Sequence, residues 1–423
     1  MDQILNRICS IDNHPIAKLD EKFRITYVKG LAACMYSVSK GSDITKMITF
    51  AWIQSILPTY PHLHQLWKEN DSEIKSAISL KRKGIRFFYM KEAFFYDVFY
   101  LAQASLLDKC NFENISTYLR EKVFGYFSRK ALKRIRLAYQ LNSSNIDGVS
   151  KVQINHRNVN QSILSGTEKR ILVVANVSAG KSTLINALVG YRFNRTKTTA
   201  CTDRLVYIHN KCSDDGITTK NIDGEYSYSN NINNRNCEFL TGAAFPFKSA
   251  LRAEQICFID TPGINNVDDS HHQQVTEDAI KKGDFDAVLY VSNCQYFGTN
   301  DEHAILGFLK KNVKKPLLFI LNQLDRFNPD EDSIDKMLNE YKSDLIKLGF
   351  KNPVIIPVSA YVSFLFRLEP SCLTKTEAIK KNNMIELFKD DYYDLPRYIG
   401  MEKSTEILDK SGIKVLEDKI LKI

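Results

Sequence analysis

The chain has 423 residues, 44% hydrophobic and 25% charged, with a formal net charge of +9. That is too long for one ordinary domain and too apolar for a disordered or fibrous protein. No apolar run approaches the roughly 20 residues a membrane-spanning helix needs, and the N-terminal M-D-Q-I-L-N-R-I lacks the basic flank and apolar core of a secretory signal. Nine cysteines are scattered without a CxxC pair, which argues against a zinc site or a disulfide framework and for a reducing, cytoplasmic setting.

Residues 1–141 show helical periodicity and almost no strand signal, so a helical, basic N-terminal domain is expected. Within Ile74–Leu107, the residues Ile78, Ile85, Phe88, Tyr89, Phe94, Phe95, Val98 and Phe99 recur at helical spacing. Tyr118–Tyr139 reads as a helix with Leu119, Val123, Phe124, Phe127, Leu132 and Ile135 among seven Lys and Arg. Residues 1–160 hold 24 Lys and Arg against 14 Asp and Glu, so the positive charge lies in the first third. A basic amphipathic helix suits an anionic membrane surface, although a solvated basic face explains it equally. Residues 142–167, rich in Asn, Ser and Gly, read as a linker.

From residue 168 to 423 the pattern becomes alternating β and α, with apolar strands at Arg170–Ala175, Leu205–His209, Ile256–Asp260, Asp286–Ser292, Leu317–Asn322 and Val354–Ser359. The fold class is therefore α/β: a phosphate-loop domain with a mainly parallel sheet, preceded by an all-α domain. Lys211–Asn236, with its Asn/Ser run, is expected to be a surface insertion. Leu368–Tyr398 is expected to be a helical excursion before a last helix, Gly412–Ile423.

Four motifs stand at strand ends. The first is A-N-V-S-A-G-K-S-T, Ala175–Thr183, between a strand and a helix. A phosphate cradle needs backbone N–H groups, a helix N-terminus, a lysine for the β- and γ-phosphates and a hydroxyl for Mg²⁺. Asn176, Ser178, Ala179, Gly180, Lys181, Ser182 and Thr183 are the candidates, with Lys181 and Ser178 also catalytic candidates. Ala175 stands where the pattern has Gly. The second motif is Asp260-Thr261-Pro262-Gly263, with Asp260 for Mg²⁺ and the Gly263 N–H for the γ-phosphate. The third is Asn322-Gln323-Leu324-Asp325. A carboxylate there accepts from the N1–H and N2–H₂ edge of guanine, which adenine does not offer, so Asp325 points to GTP rather than ATP. The fourth is Pro357-Val358-Ser359-Ala360, an S-A turn that closes over the base. A switch threonine that meets γ-phosphate and Mg²⁺ must lie between the first two motifs, with Thr196, Thr198, Thr199 and Thr202 as candidates.

Together S-A-G-K-S-T-L-I-N-A-L, A-C-T-D-R, D-T-P-G, N-Q-L-D and P-V-S-A resemble the dynamin superfamily, especially its bacterial members, over residues 165–423. The resemblance implies a GTP-hydrolysing enzyme, activated when two GTPase domains meet across their nucleotides. It selects Thr202 as switch threonine, catalytic and metal-binding with Ser182 and Asp260. Its expected partners are GTP and GDP, a second copy or a partner dynamin-like chain, and an anionic membrane surface; nucleic acid is not expected. Where classical dynamins carry a water-orienting Gln stands Val177, and Ile264 is apolar where small Ras-like GTPases carry one. Slow unassisted hydrolysis is therefore expected. A nucleotide-gated scaffold with little turnover, and a translation- or RNA-associated GTPase, are the alternatives. The N-terminal L-D-E-K-F-R-I-T-Y-V-K-G-L-A is weakly similar to tellurite-resistance-type helical domains, implying a helical bundle.

Overall fold

The computed structural model describes residues 16, 19–57, 60, 63–80, 88–104, 115, 117–118, 121, 168–176, 178–193, 204–211, 217–223, 226–229, 240–263 and 270–423. They divide into two compact units, Met1–Gly166 with Ser213–Thr218 and Tyr226–Asn230, and Thr167–Cys212 with Thr219–Glu225 and Asn231–Ile423.

In the first unit the described elements of the N-terminal stretch are α1 (Glu21–Ser39), α2 (Asp43–Ile56), α3 (Leu63–Leu66), α4 (Asp71–Ile78) and α5 (Phe88–Ala104). Of the apolar residues singled out by spacing, those whose burial the structure describes, Ile78, Phe94, Phe95, Val98 and Phe99, are all buried. Gly30 lets α1 and α4 touch: a Cβ there would lie 2.3 Å from the Ala77 Cβ. A buried carboxylate, Asp97, accepts hydrogen bonds from the Tyr27 hydroxyl at 2.7 Å and the Trp52 indole at 3.1 Å. These bonds offset its desolvation and tie α1, α2 and α5 together. The proposed linker, and the basic helix Tyr118–Tyr139 apart from residues 118 and 121, lie outside the described residues.

In the second unit, β1 (Lys169–Ala175), β2 (Val206–Asn210), β6 (Ile256–Asp260), β7 (Ala287–Asn293), β8 (Leu317–Asn322) and β9 (Val354–Val358) fall where the sequence predicts strands. Three further strands do not: β3 (Ile217–Asn221), whose first two residues are counted with the first unit, β4 (Tyr226–Ser229), which is counted wholly with it, and β5 (Leu240–Phe245). Two of them occupy the stretch read as a surface insertion, which is a correction. Thr218 and Thr219 are polar but β-branched, and both are buried in β3, so strand preference outweighs low hydrophobicity there. Within the second unit the strand order is β3-β5-β2-β6-β1-β7-β8-β9. The five strands from β6 to β9 through β1 are mutually parallel, and β2 pairs β6 antiparallel. The continuous apolar runs of β1 and β7 suit strands covered on both faces.

The helices are α6 (Lys181–Val189), α7 (Ser270–Lys282), α8 (Asn300–Asn312), α9 (Ile334–Lys347), α10 (Ala360–Arg367), α11 (Lys375–Leu387), α12 (Ile407–Lys410) and α13 (Ile413–Leu421). On α9, Ile334, Leu338, Tyr341 and Leu345 form the buried stripe, and Ser333 caps its first turn. The excursion at 368–398 is indeed helical, formed by α11 and short 3₁₀ turns. Among the described residues no helix is long and apolar enough to cross a membrane.

Candidate nucleotide-binding site

The parallel arrangement carries the ends of β1, β6, β7, β8 and β9 to one edge of the sheet, where open α/β sheets bind ligands. From β1 the chain turns through Ser178, with φ +64°, and Gly180, with φ +89°, into α6. A Cβ on Gly180 would meet the Asn322 Nδ2 at 2.4 Å, so this turn requires glycine both for backbone and for space. No side chain caps α6, which leaves its first-turn N–H groups to an anion. Ala175 is fully buried as the last strand residue, where a methyl group is accommodated.

Lys181 opens α6 and is 7% exposed; its ammonium forms an ion pair with Asp260, 1% exposed, at the end of β6. The register pairs Val173 with Asp260, which fixes that juxtaposition. Thr261 is buried and donates its hydroxyl to the Val173 carbonyl at 2.8 Å, so the Thr of D-T-P-G fastens the strand ends together. Ser182 and Thr183 are half-buried on the first turn of α6, and Gly263 follows β6. Ser178 is exposed.

The base-side motifs join the phosphate loop through amide side chains. Asn322 donates from Nδ2 to the Ala179 carbonyl at 2.9 Å and accepts from the Ala360 N–H at 3.0 Å. Gln323, itself at φ +72°, donates to the Ser178 carbonyl at 2.7 Å, so this amide supplies a donor to the loop. Asp325 accepts from the Ser359 hydroxyl. Burial pushes the Asp325 carboxyl above its ordinary range, with the Ser359 bond pulling against it.

Two supports escape the sequence reading. Asn293, at the end of β7, donates to the Ser178 carbonyl at 3.5 Å; the signal was an Asn closing an apolar strand, as in the strand that ends at Asn322. The second is the C-terminal segment. Ser359 donates its N–H to the Ser411 carbonyl at 2.9 Å, and a Cβ on Gly412 would lie 2.1 Å from the Pro357 carbonyl oxygen. No motif links positions so distant in sequence.

The donor set fits a hard divalent cation: the Ser182 hydroxyl and the Asp260 carboxylate offer oxygens. The Asn176 Oδ1 is buried with no hydrogen-bond partner among the described residues. Thr202, the other threonine candidates, Val177 and Ile264 lie outside the described residues.

Phosphate loop, strand-end aspartate and guanine-type motif together define a P-loop nucleotide-binding domain of the GTPase class. Residues 171–324 match the dynamin family. Over those residues the chain is similar to the GTPase domain of the dynamin family.

A probable transmembrane GTPase, FZO-like and chloroplastic, from Arabidopsis thaliana is 24% identical over 246 residues, 55% of this chain and 25% of its own length. GTPase Era from Clostridium perfringens is 26% identical over 257 residues, 60% of this chain and 65% of that protein. The chain thus spans from a quarter to just under two thirds of the length of these relatives. Among solved structures, one reported as an oligomerised bacterial dynamin pair covers 96% of this chain and 72% of its own at 14% identity and a TM-score of 0.37. Era in complex with MgGDPNP and nucleotides 1506–1542 of 16S ribosomal RNA covers 57% of this chain and 59% of its own at 18% identity and a TM-score of 0.30.

Proposed function

We propose that this chain binds GTP and hydrolyses it to GDP and phosphate at the site just described. The observation that carries this reading is the convergence of Gly180, Lys181, Asp260, Asn322, Asp325 and Ser359 at the ends of four of the five parallel strands. The N–H groups of the phosphate loop and the Lys181 ammonium meet the β- and γ-phosphates. The Asp325 carboxylate accepts the N1–H and N2–H₂ edge of guanine, and Ser359, bonded to that carboxylate, holds it in place. Ser182, Asp260 and Thr202 hold Mg²⁺, which when bound neutralises charge on the phosphate oxygens. A water attacks the γ-phosphorus and the bond to the β,γ-bridging oxygen breaks. With no polar side chain at Val177 or Ile264 to orient that water, the missing group comes from a second GTPase domain. The same dependence follows from the dynamin resemblance.

The site of action in this reading is an anionic membrane surface, reached through the basic N-terminal third. The expectation that nucleic acid is not a partner gains no support from the comparisons, since Era itself is seen with ribosomal RNA. Co-sedimentation with anionic liposomes and with RNA, each with and without a GTP analogue, separates the two.

Phosphate release measured across protein concentrations tests the reading. Specific activity that rises with concentration is the expected result. No turnover at any concentration would leave a nucleotide-gated scaffold instead.

A further inference from the structure

The strand end at β7 leads into a turn, residues 293–299, that ties itself to both halves of the site. Asn293 donates to the Ser178 carbonyl and accepts from the Gln295 N–H at 2.9 Å. The Cys294 N–H donates to the Asn322 carbonyl at 3.1 Å. The same turn therefore touches the phosphate loop on one side and the guanine-reading strand end on the other.

What shapes this turn is a buried carboxylate. Glu302, 2% exposed on the first turn of α8, accepts from the Gly298 N–H at 2.7 Å and the Ser292 hydroxyl at 2.6 Å. Ser292 in turn contacts the Tyr341 hydroxyl at 2.5 Å, and the Phe297 ring packs edge-on against Tyr341 with centroids 5.2 Å apart. Gly298 takes φ +76° to present its N–H. Glu302 thus closes a ring between the last residue but one of β7 and the start of α8. No Lys, Arg or His among the described residues forms an ion pair with it. A carboxylate buried on hydrogen bonds alone is costly, and a capped helix and a tight turn do not by themselves require one.

The geometry points to Glu302 as a positioning residue for the nucleotide site. It fixes the 293–299 turn so that Asn293 and Cys294 brace the phosphate loop and Asn322. At the tip of the turn Tyr296 stands 69% exposed, so the turn is open to solvent while its base is locked. Nucleotide that orders the phosphate loop thereby orders the turn, and the coupling runs equally in reverse. This inference rests on guanine-nucleotide binding at the site above.

The test uses the full chain with Tyr296→Trp as reporter; the two natural tryptophans, Trp52 and Trp67, lie in the first unit and supply a constant background. GDP added to the reporter protein is expected to change its emission. Glu302→Gln replaces one of the two accepting oxygens, used separately by Ser292 and Gly298, with an N–H₂ group. It is expected to weaken GDP and GTP affinity about fivefold to thirtyfold and to suppress the emission change. Ser292→Ala, which removes the hydroxyl's contacts to Glu302 and Tyr341 but no charge, should give a smaller loss in the same direction, and it serves if Glu302→Gln fails to fold. A purely structural role would lower the melting temperature while the folded protein kept its affinity and its emission response. Folded variants with affinity within twofold of the parent and an unchanged response would overturn the assignment of Glu302 alone. A parent chain that binds no guanine nucleotide would overturn the site reading and this inference together.

Discussion

The Asn322 side chain donates to the Ala179 carbonyl at 2.9 Å, across 143 positions of sequence. Its own oxygen takes the Ala360 N–H, so one amide connects the phosphate loop, the guanine motif and the S-A turn. The Cβ forbidden at Gly180 is forbidden by this same amide. Phosphate and base recognition are therefore mechanically linked.

Lys181→Ala should lower GTP affinity by about a hundredfold or more, because a charge-assisted contact to phosphate is lost. Titration of a fluorescent GTP analogue measures this. Unchanged affinity would remove Lys181 from the site.

Asp325→Asn should shift preference from guanine toward xanthine nucleotides by about tenfold or more, since the amide can donate to the xanthine 2-oxygen that the carboxylate repels. Competition between GDP and XDP reads the ratio directly. A second consequence concerns pH. Guanine binding needs the ionised carboxylate, and burial already holds Asp325 above the usual range. Affinity should therefore fall as pH drops through that raised value, earlier than for an ordinary aspartate.

Gly180→Ala should weaken nucleotide binding and lower the melting temperature together. The backbone φ of +89° costs an alanine about 1–3 kcal/mol, and the methyl would have to displace Asn322. Calorimetry of the variant, with and without GDP, separates the two effects; wild-type values for both would contradict the geometry.

His209 is buried on β2 with Glu168 2.7 Å from its Nδ1 and the Cys257 sulfur 3.9 Å from its Nε2. Burial favours the neutral ring, but Cys257 and Glu168 outweigh it and raise the imidazole to about 10. A cation-forming group raised in the folded state stabilises below its unfolded value, near 6.5, and that contribution fades as pH climbs toward 10. Denaturant unfolding between pH 6 and about 10 should show falling stability, and His209→Gln should flatten the slope. An equal slope in the variant would mean the pair does not titrate as described.

The Arg367–Glu417 ion pair joins α10 to α13, both side chains almost wholly buried. Burial lowers the Arg367 guanidinium and raises the Glu417 carboxyl, so desolvation opposes both charges. Glu417→Ala, leaving the guanidinium unpaired, should destabilise the fold by about 3–5 kcal/mol. The double change Arg367→Met with Glu417→Leu should recover most of that; urea denaturation of the three proteins checks it.

The sequence by itself determined the local chemistry. Glycine, lysine and hydroxyl at fixed offsets, Asp260 at the end of I-C-F-I and Asp325 after L-L-F-I-L-N are legible because each motif is short and each strand is a continuous apolar run. The buried stripe of α9 and the helices α1, α2, α4 and α5 are legible for the same reason, since periodicity is a property of neighbours. What the sequence could not determine is whatever depends on distant positions meeting. β3 hides in polar composition because Thr218 and Thr219 become buried only when the sheet forms around them. Asn293 becomes a brace only when β7 is set beside β1. The fit of Ser411 and Gly412 under the S-A turn needs chain ends some fifty residues apart to be packed together. Tertiary structure alone decides these, because the energy that fixes them comes from close packing and from hydrogen bonds between strand ends, which no local pattern encodes.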